Sequence, residues 1–413
     1  EAGQGIQTVG QLLALTCSHS GLYALGTNDF ESRIRGGHNF FQLRISDRPV
    51  FAPSEKVHIL VAMDDNTFSL HGSEVIPDGM SILETAVQNA PTNTITAPFN
   101  DLVKEAGSPI TANTVAAGMV LKLLGCDLDI FEAVLKKQFE GKESRVIEQN
   151  ISAARIGYRQ AEGTALSYSF KWQKTDTPKM LIEGSQTMAV GALAADCRFA
   201  AFYPMSPATG TMMHLSACQS KFPMVVEQAE DEIAAVNMII GASYAGVRSI
   251  TATSGGGFCL MTEGLGLSGI TEIPIVIINA QRPGPATGLP TRTAQGDLLF
   301  VINASQDEFP RFVFAPGYPD DAYQCIIRAF ELTEKYQVPA VVLVDQYFND
   351  SLFVMDRSFT VPVKPERFIT GDHLLPDPSR YQRYALTDSG ISPRALPGRG
   401  KTLVTICGNE HNE

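Results

Sequence analysis

The sequence predicts an α/β protein in which a smaller α/β domain precedes a doubly wound domain built on a parallel sheet. Short, continuous apolar runs at residues 273–280 and 338–344 are typical of strands buried on both faces of a parallel sheet. Helix-like stretches alternate with such runs along most of the chain, as βαβ units require. A glycine-rich turn at 254–257 follows the strand-like stretch at 248–253, and ligands of doubly wound folds bind at the carboxyl ends of such strands.

The composition limits the classes of function. The 413 residues are enough for two or three domains, each with its own core. A net charge of −12 argues against nucleic acid as a partner, because the phosphate backbone attracts basic surfaces. No apolar run approaches the roughly 20 residues that cross a bilayer, so no membrane association is expected. Seven dispersed cysteines without a CxxC pair predict reduced thiols in a cytoplasmic protein, with no metal site on this chain.

The first predicted domain spans residues 1–170. It opens with Gly3-Gln4-Gly5 ahead of a helix-like stretch at 11–17, and predicted strands follow at 40–45 and 57–62. Glycines before a helix can receive a phosphate, but here the preceding strand is missing, which favours tight strand-to-helix packing instead. Residues 171–180, which contain the single tryptophan, are predicted to be a linker.

The second predicted domain spans residues 181–395, and 396–413 resemble the start of a further α/β domain that the sequence truncates. A helix at 186–197 and a strand at 198–203 lead to the segment Tyr203-Pro204-Met205-Ser206-Pro207. A strand at 248–253 then leads to the glycine turn Ser254-Gly255-Gly256-Gly257, and a helix is predicted at 320–336. Ligands of such folds bind at the carboxyl ends of the strands, so these two segments are the candidate binding loops.

Glu232 is the strongest candidate for a catalytic residue. It begins a helix of small residues, and the strand and the glycine turn follow it. Enzymes that use thiamine diphosphate hold the aminopyrimidine ring with such a carboxyl, which promotes the imino tautomer that deprotonates the reactive carbon. Burial of a glutamate raises its pKa and suits it to share that proton. The alternative is that Glu232 belongs to an acidic group that merely favours a helix N-terminus.

Together these motifs resemble the α subunit of 2-oxoacid:ferredoxin oxidoreductases. The resemblance rests on Tyr203–Pro207, Glu232, Thr253–Gly257 and the segment Gln281-Arg282-Pro283-Gly284-Pro285-Ala286-Thr287-Gly288-Leu289-Pro290-Thr291. The Gly3-Gln4-Gly5 and Arg35-Gly36-Gly37 segments are similar to that family's γ domain. The resemblance therefore implies a Rossmann-like γ domain fused ahead of a pyrimidine-type, thiamine diphosphate-binding domain.

The resemblance also implies an activity and partners. The family converts a 2-oxoacid, coenzyme A and oxidised ferredoxin into acyl-coenzyme A, carbon dioxide and reduced ferredoxin. Because this chain lacks a Gly-Asp-Gly segment and clustered cysteines, Mg²⁺ and the [4Fe-4S] cluster are expected on a separate β subunit. A dimer of αβ units is expected, and the fused γ–α architecture favours 2-oxoglutarate as substrate.

The family's roles can be carried to individual residues. Glu232 corresponds to the pyrimidine-binding glutamate, and Arg282 to the arginine that holds the substrate carboxylate, for which a guanidinium fork is suited. Ser206 stands where the family usually has threonine, so it keeps the hydroxyl and loses a methyl. The remaining candidates are Thr291 at the substrate and Tyr203, Pro204, Ser254 and Gly255 at the cofactor.

Two other functions stay open at this point. One is the pyrimidine-binding half of a non-oxidative thiamine-dependent decarboxylase, which clustered cysteines on the partner chain would exclude. The other is a non-catalytic α/β interaction subunit. It gains weight from Gly184-Ser185-Gln186, which replaces the Gly-Asn-Glu expected in the family.

Overall fold

The computed structural model describes residues 6–31, 37–87, 93–164, 166, 170–357, 364–368, 375 and 377–412. The predicted γ-type segments Gly3-Gln4-Gly5 and Arg35-Gly36 lie outside the described residues. The chain forms two compact units. The first contains the residues up to Ile182 together with Ser351–Arg357, and the second contains Glu183–Asp350 and the described residues after Arg357.

The elements alternate along the chain. The α-helices are α1 (Ile6–His19), α2 (Asp65–His71), α3 (Phe99–Ala106), α4 (Ala112–Leu123), α5 (Leu128–Gln138), α6 (Ser144–Gln160), α7 (Gly184–Ala194), α8 (Thr209–Cys218), α9 (Glu232–Tyr244), α10 (Gly255–Ile270), α11 (Leu298–Asn303), α12 (Pro319–Tyr336) and α13 (Gln346–Asp350). The strands are β1 (Tyr23–Phe30), β2 (Asn39–Ser46), β3 (Val57–Ala62), β4 (Val75–Leu83), β5 (Thr94–Thr96), β6 (Met180–Glu183), β7 (Phe199–Phe202), β8 (Val225–Gln228), β9 (Ser249–Thr253), β10 (Val276–Gln281), β11 (Phe312–Phe314), β12 (Ala340–Asp345) and β13 (Leu352–Met355).

The first unit contains two sheets. One has the order β2-β1-β13-β6, in which β1 is antiparallel to both β2 and β13. The other is parallel, with the order β3-β4-β5. Helices α4 and α6 pack closely, because a Cβ added at Gly118 would lie 2.8 Å from the Ala154 carbonyl oxygen. This unit extends beyond the predicted boundary at residue 170, since Trp172 is buried in its core and donates to the Leu124 carbonyl (2.8 Å).

The second unit contains a six-stranded sheet with the order β11-β12-β10-β9-β7-β8, and all its recorded pairings are parallel. Every residue of β9, β10 and β12 is buried. Helices α9 and α10 contribute Val236, Ile239 and Leu265 to the core on one face. The predicted α/β class and the doubly wound parallel sheet are therefore confirmed. The physical reason is that strands made of continuous apolar residues need helices on both faces of the sheet.

Two local predictions need correction. The glycine segment after β9 is not a turn: Ser254 is the N-cap of α10, and Gly255, Gly256 and Gly257 form its first turn. The start of a further α/β domain at 396–413 stays a prediction, but residues 396–412 contain no helix or strand, and so the strand predicted at 401–407 is absent from the structure. Leu396 is instead buried in the second unit, and the Tyr244 hydroxyl donates to the Val404 carbonyl (3.0 Å).

Candidate active site

The candidate site lies at a reversal of strand order in the second unit. From β7 the chain runs to the edge strand β8 and then returns to β9 on the other side of β7. The loops that leave the carboxyl ends of β7 and β9 therefore lead away in opposite directions, and the region between their starts is termed the crevice. Ligands of doubly wound folds bind at such a switch point. The sequence-predicted segments 203–207 and 254–257 are these two loops.

Glu232 is fixed at the first position of α9. The side chain of Asp231 caps the helix by accepting a hydrogen bond from the backbone N–H of Ala234 (2.7 Å). Asp231 thus carries out the capping role that the alternative interpretation assigned to the acidic group as a whole. The carboxyl of Glu232 is left for another purpose, and the residue is only 2% exposed.

Gly257 provides the space that the Glu232 side chain occupies. A Cβ added at Gly257 would lie 2.5 Å from Glu232 Oε1 and 2.9 Å from its Cγ, and closer still to Thr253 Oγ1. These distances are too short for any side chain larger than hydrogen. Three elements therefore meet around the carboxyl: the end of β9 with Thr253, the first turn of α10 with Gly257, and the start of α9 with Glu232 itself.

The Glu232 carboxyl has an unused acceptor. Oε1 is buried and has no hydrogen-bond partner among the described residues. A buried polar atom without a partner is costly, and native proteins rarely keep one without a function. The arrangement fits a thiamine aminopyrimidine, whose ring nitrogen would supply the missing partner of Oε1.

The loop after β7 contacts the start of α10 through a methionine. The Ser254 hydroxyl donates to Met205 Sδ (2.7 Å), and Ser254 is fully buried. Ser254 makes no side-chain capping bond to α10, so its hydroxyl is directed to the β7 loop instead. Tyr203 is exposed and Pro204 is half-buried in the same loop. The predicted cofactor residues of the two loops therefore lie on the two sides of one crevice.

Arg282 lies beside this crevice. Its Nη1 donates to the Ser206 carbonyl oxygen (2.6 Å), which joins the loop after β10 to the loop after β7. Burial lowers the pKa of the Arg282 guanidinium, and the charge of Glu232 opposes that change. Arg282 therefore lies within electrostatic reach of the buried carboxylate. The structure brings Glu232, Arg282, Ser206 and Ser254 together.

A polar network that the sequence analysis missed holds the loop after β10. Asn279 Nδ2 donates to Asp297 Oδ2 (3.1 Å), and the Asp297 backbone N–H donates to Gln281 Oε1 (3.0 Å). A Cβ at Gly255 would lie 2.9 Å from Asp297 Cγ, so Asp297 abuts the first turn of α10. Asn279 and Gln281 alternate along an otherwise apolar strand, and this pattern was the available signal.

Thr291 lies in a turn after β10, and the altered Gly184-Ser185-Gln186 segment lies at the start of α7. Thr291 is half-buried in a turn after β10, and its predicted role at the substrate stays a prediction. Ser185 is buried in the first turn of α7, and a Cβ at Gly210 of α8 would lie 2.6 Å from its hydroxyl. Ser185 therefore packs α7 closely against α8.

The described part of the chain contains neither a cluster of metal-ligating side chains nor a membrane-spanning helix. No three histidine, cysteine, aspartate or glutamate side chains are grouped there so that they could hold a metal ion. All seven cysteines are unpaired. None of the described helices has the length and apolar character needed to cross a membrane.

Two family models match the chain. The model described as "Pyruvate flavodoxin/ferredoxin oxidoreductase, thiamine diP-bdg" matches residues 190–413, and "Pyruvate ferredoxin/flavodoxin oxidoreductase" matches residues 1–160. The first therefore covers the whole crevice, including both candidate loops, Glu232 and Arg282.

Curated relatives and a solved structure agree with these models. A 2-oxoacid:ferredoxin oxidoreductase subunit alpha from Sulfolobus sp is 32% identical, and the match covers 100% of this chain and 73% of that protein. The 2-oxoglutarate synthase subunit KorA from Archaeoglobus fulgidus is 42% identical over 40% of this chain and 48% of its own length. The solved 2-oxoglutarate:ferredoxin oxidoreductase from Magnetococcus marinus, with 2-oxoglutarate, coenzyme A and succinyl-CoA bound, has a TM-score of 0.91 at 28% identity. That match covers 100% of this chain and 73% of the solved one.

Proposed function

This chain belongs to the 2-oxoacid:ferredoxin oxidoreductase family, and from that premise we propose that it is the α subunit of an enzyme that oxidises 2-oxoglutarate. The reaction is oxidative decarboxylation of the 2-oxoacid with coenzyme A, which yields an acyl-CoA and carbon dioxide and passes electrons to ferredoxin. The enzyme is thiamine-dependent, and the second unit is the part that matches the thiamine diphosphate-binding family model.

The observation that carries the proposal is the buried, unpartnered carboxylate oxygen of Glu232. Thiamine diphosphate, when bound, supplies a carbon acid whose conjugate base adds to the carbonyl of a 2-oxoacid. Glu232 would hold the aminopyrimidine through Oε1 and share a proton with it. Gly257 and Thr253 fix the direction of the carboxyl, and Ser254, Gly255, Tyr203 and Pro204 line the two loops that would enclose the ring.

Arg282 is proposed to bind the carboxylate of the 2-oxoacid. Its Nη1 is used by the Ser206 carbonyl, which orients the guanidinium and leaves its other N–H groups for a substrate. Ser206 and Thr291 are proposed to add hydroxyl contacts. Partial burial beside Glu232 strengthens a charge-assisted contact with a carboxylate relative to one in bulk water.

A separate β subunit is proposed to complete the site with Mg²⁺ and a [4Fe-4S] cluster. Helices α9 and α10 support a covering partner, because they are apolar nearly all round, pack against each other, and expose Ile233, Met238 and Leu260. Apolar side chains exposed next to a catalytic carboxyl mark a protein interface. We propose a dimer of αβ units. The cytoplasmic location predicted from the unpaired cysteines stays a prediction.

The choice of 2-oxoglutarate rests on two kinds of support. The KorA relative is named as a 2-oxoglutarate synthase subunit, and the Magnetococcus marinus enzyme binds 2-oxoglutarate. The matches of both family models to one chain agree with the fused γ–α architecture expected for that type. The non-oxidative alternative has no comparable support, since the relatives above are named as oxidoreductase or synthase subunits.

Turnover by the purified αβ complex tests the proposal. Ferredoxin reduction would be followed with 2-oxoglutarate, pyruvate and a branched 2-oxoacid, each with and without coenzyme A. The highest kcat/KM is expected for 2-oxoglutarate, and coenzyme A should be required for sustained turnover. A clear preference for pyruvate would reject the substrate assignment. Absence of thiamine-dependent turnover with all three acids would favour the non-catalytic alternative.

A further inference from the structure

A cavity lined by arginines lies at the edge of the main sheet opposite the candidate active site. Arg198 and Arg248 each immediately precede a strand, β7 and β9, so both stand at the amino ends of strands whose carboxyl ends carry the candidate site. The cavity has a volume of about 320 Å³. Its lining consists of Arg198, Gly246, Val247, Arg248, Arg367, Leu396 and Arg399.

Three of the four guanidinium groups around this cavity share two carboxylates. Glu334 pairs with Arg248 (2.8 Å) and with Arg367 (3.0 Å), and Asp196 pairs with Arg367 (3.1 Å) and with Arg198. Arg399 forms no ion pair with any described residue. The ion pairs therefore leave a surplus of two positive charges in the cavity.

The innermost arginine has a donor that is not used. Arg248 is 3% exposed, and its terminal nitrogens bind the Ala195 carbonyl (2.7 Å), Glu334 and the Glu366 carbonyl. Its Nε is buried and has no hydrogen-bond partner among the described residues. A buried N–H of a charged group without an acceptor is unfavourable, so Arg248 keeps a positive charge at the cavity wall that its own hydrogen bonds do not fully satisfy.

The surplus charge contrasts with the chain as a whole, whose net charge is −12. In an acidic protein, a concentration of arginine around one cavity needs a specific explanation. Arginine is preferred over lysine for phosphate because its planar fork can donate two parallel hydrogen bonds. A volume of about 320 Å³ is at the lower end of the range of small-molecule sites, about 300–1,000 Å³.

We propose that this arginine cavity is a binding site for a phosphorylated small molecule, separate from the crevice at Glu232. The phosphoryl oxygens accept hydrogen bonds from Arg198 and Arg399 at the more exposed wall, and Arg248 contributes positive charge at the inner wall. Arg367 holds the wall together through Glu334, Asp196 and the Gly246 carbonyl (3.1 Å). The site does not depend on the identity of the 2-oxoacid or on the role of Glu232.

Calorimetric titration of the intact αβ complex tests this proposal. The probes are pyrophosphate and ADP, which distinguish an inorganic from a nucleoside phosphate, with sodium chloride at matched ionic strength as the reference. Saturable binding of at least one probe, beyond the chloride response, is expected. Complete absence of saturable binding by both would overturn the proposal.

Two variants locate the binding. Arg399→Ala and Arg198→Ala remove exposed guanidinium groups. Each should lower the affinity for the probe about ten- to hundredfold, because a charge-assisted hydrogen bond is lost. Arg380→Ala is the matched control, since Arg380 is an exposed arginine outside the cavity lining and pairs only weakly with Asp377 (3.6 Å). Circular dichroism checks that each variant is folded. Binding that is unchanged in both cavity variants, or weakened equally in the control, lies elsewhere on the enzyme and contradicts the assignment.

Discussion

The carboxylate of Glu232 lies against the α-carbon of Gly257, so closely that a Cβ on that glycine would stand 2.5 Å from Oε1. The two residues come from different helices, α9 and α10, whose first turns meet at the switch point of the sheet. This contact explains why a poor helix former stands in the first turn of α10. The glycine admits the carboxyl that the chemistry needs, and the cost to helix propensity is about 1 kcal/mol.

Substitution Gly257→Ala tests that relationship. The added methyl overlaps Glu232 and Thr253 Oγ1, so the carboxyl must turn away and turnover should fall at least about tenfold, with a stability loss of about 1–3 kcal/mol from overpacking. Gly256→Ala is the matched control, because its Cβ meets only the Ala286 carbonyl at 3.4 Å. Turnover and urea unfolding of the two variants are compared. Equal activity of both variants would mean that Gly257 does not position Glu232.

Substitution Glu232→Gln should preserve folding and abolish most deprotonation of the bound cofactor, because an amide cannot share the proton in the same way. We expect exchange of the thiamine C2 proton and overall turnover to fall by about 10²–10⁴. Exchange is measured by NMR after quenching, and the unfolding midpoint serves as the structural control. Normal exchange in a folded variant would exclude Glu232 from this role.

Substitution Arg282→Ala should act on substrate and spare cofactor chemistry. Loss of a charge-assisted contact in a partly buried site should weaken 2-oxoacid binding by about 2–5 kcal/mol, while C2-proton exchange stays nearly normal. Arg282→Lys should recover only part of the affinity because lysine lacks the planar fork. The structure adds a second consequence, since Arg282 also donates to the Ser206 carbonyl and its loss should loosen the loop after β7. Unchanged substrate affinity, or release of thiamine, would contradict the assignment.

The stability of the first unit should depend on pH through Asp356, which follows β13. Hydrogen bonds from Lys179 (2.6 Å) and Tyr23 (2.7 Å) lower the pKa of its carboxyl below the ordinary 3.8. A lowered folded-state pKa stabilises the fold above pH 3.8, and the contribution disappears as the pH falls through the folded-state value. Because the Asp356 side chain is 61% exposed, solvent screening limits the effect to less than about 1 kcal/mol.

Asp356→Asn is therefore expected to lower the free energy of unfolding of the full chain by less than about 1 kcal/mol at pH 7, and this effect should shrink as the pH falls below 3.8. Urea unfolding across this pH range provides the measurement. Asp47→Asn is the control, since Asp47 forms only long, exposed contacts, with Arg48 (3.7 Å) and with the Ser46 hydroxyl (3.5 Å). A difference between Asp356→Asn and the unsubstituted chain that grows as the pH falls would have the wrong sign for the proposed cause.

The sequence predicted those strands whose signal is local. The predicted run at 57–62 coincides with Val57–Ala62, although it was predicted to be buried and only Ala62 is; the run at 273–280 differs from Val276–Gln281 only at its ends. Continuous apolar residues identify a buried strand without knowledge of its neighbours. The pairing of the strand Leu352–Met355 could not be predicted in this way, because its partner β1 lies more than 300 positions earlier in the chain. Pairing over that separation cannot be read from a four-residue segment.

The candidate site was predicted only in part, because only some of its residues belong to motifs that are local in the sequence. The motifs identified Glu232, Arg282, Ser206 and Ser254, which the structure brings to one crevice. Asp297 escaped notice because a single aspartate in a loop has no distinctive neighbours in sequence. Its role becomes visible only through Asn279 and Gln281, which meet it after the chain has folded back over the end of β10.

The return of the chain to the first unit has a consequence for its biosynthesis. Strand β13 lies between β1 and β6, yet it is encoded after the whole stretch Glu183–Asp350 of the second unit. The ribosome therefore releases β1, β2 and β6 well before it has made β13, the strand that lies between β1 and β6. The sheet stays incomplete during the synthesis of the second unit. Until β13 is made, the facing edges of β1 and β6 are unpaired and can form non-native strand pairs. If the chain were divided within residues 183–350, β13 could reach β1 and β6 only by association of the two pieces.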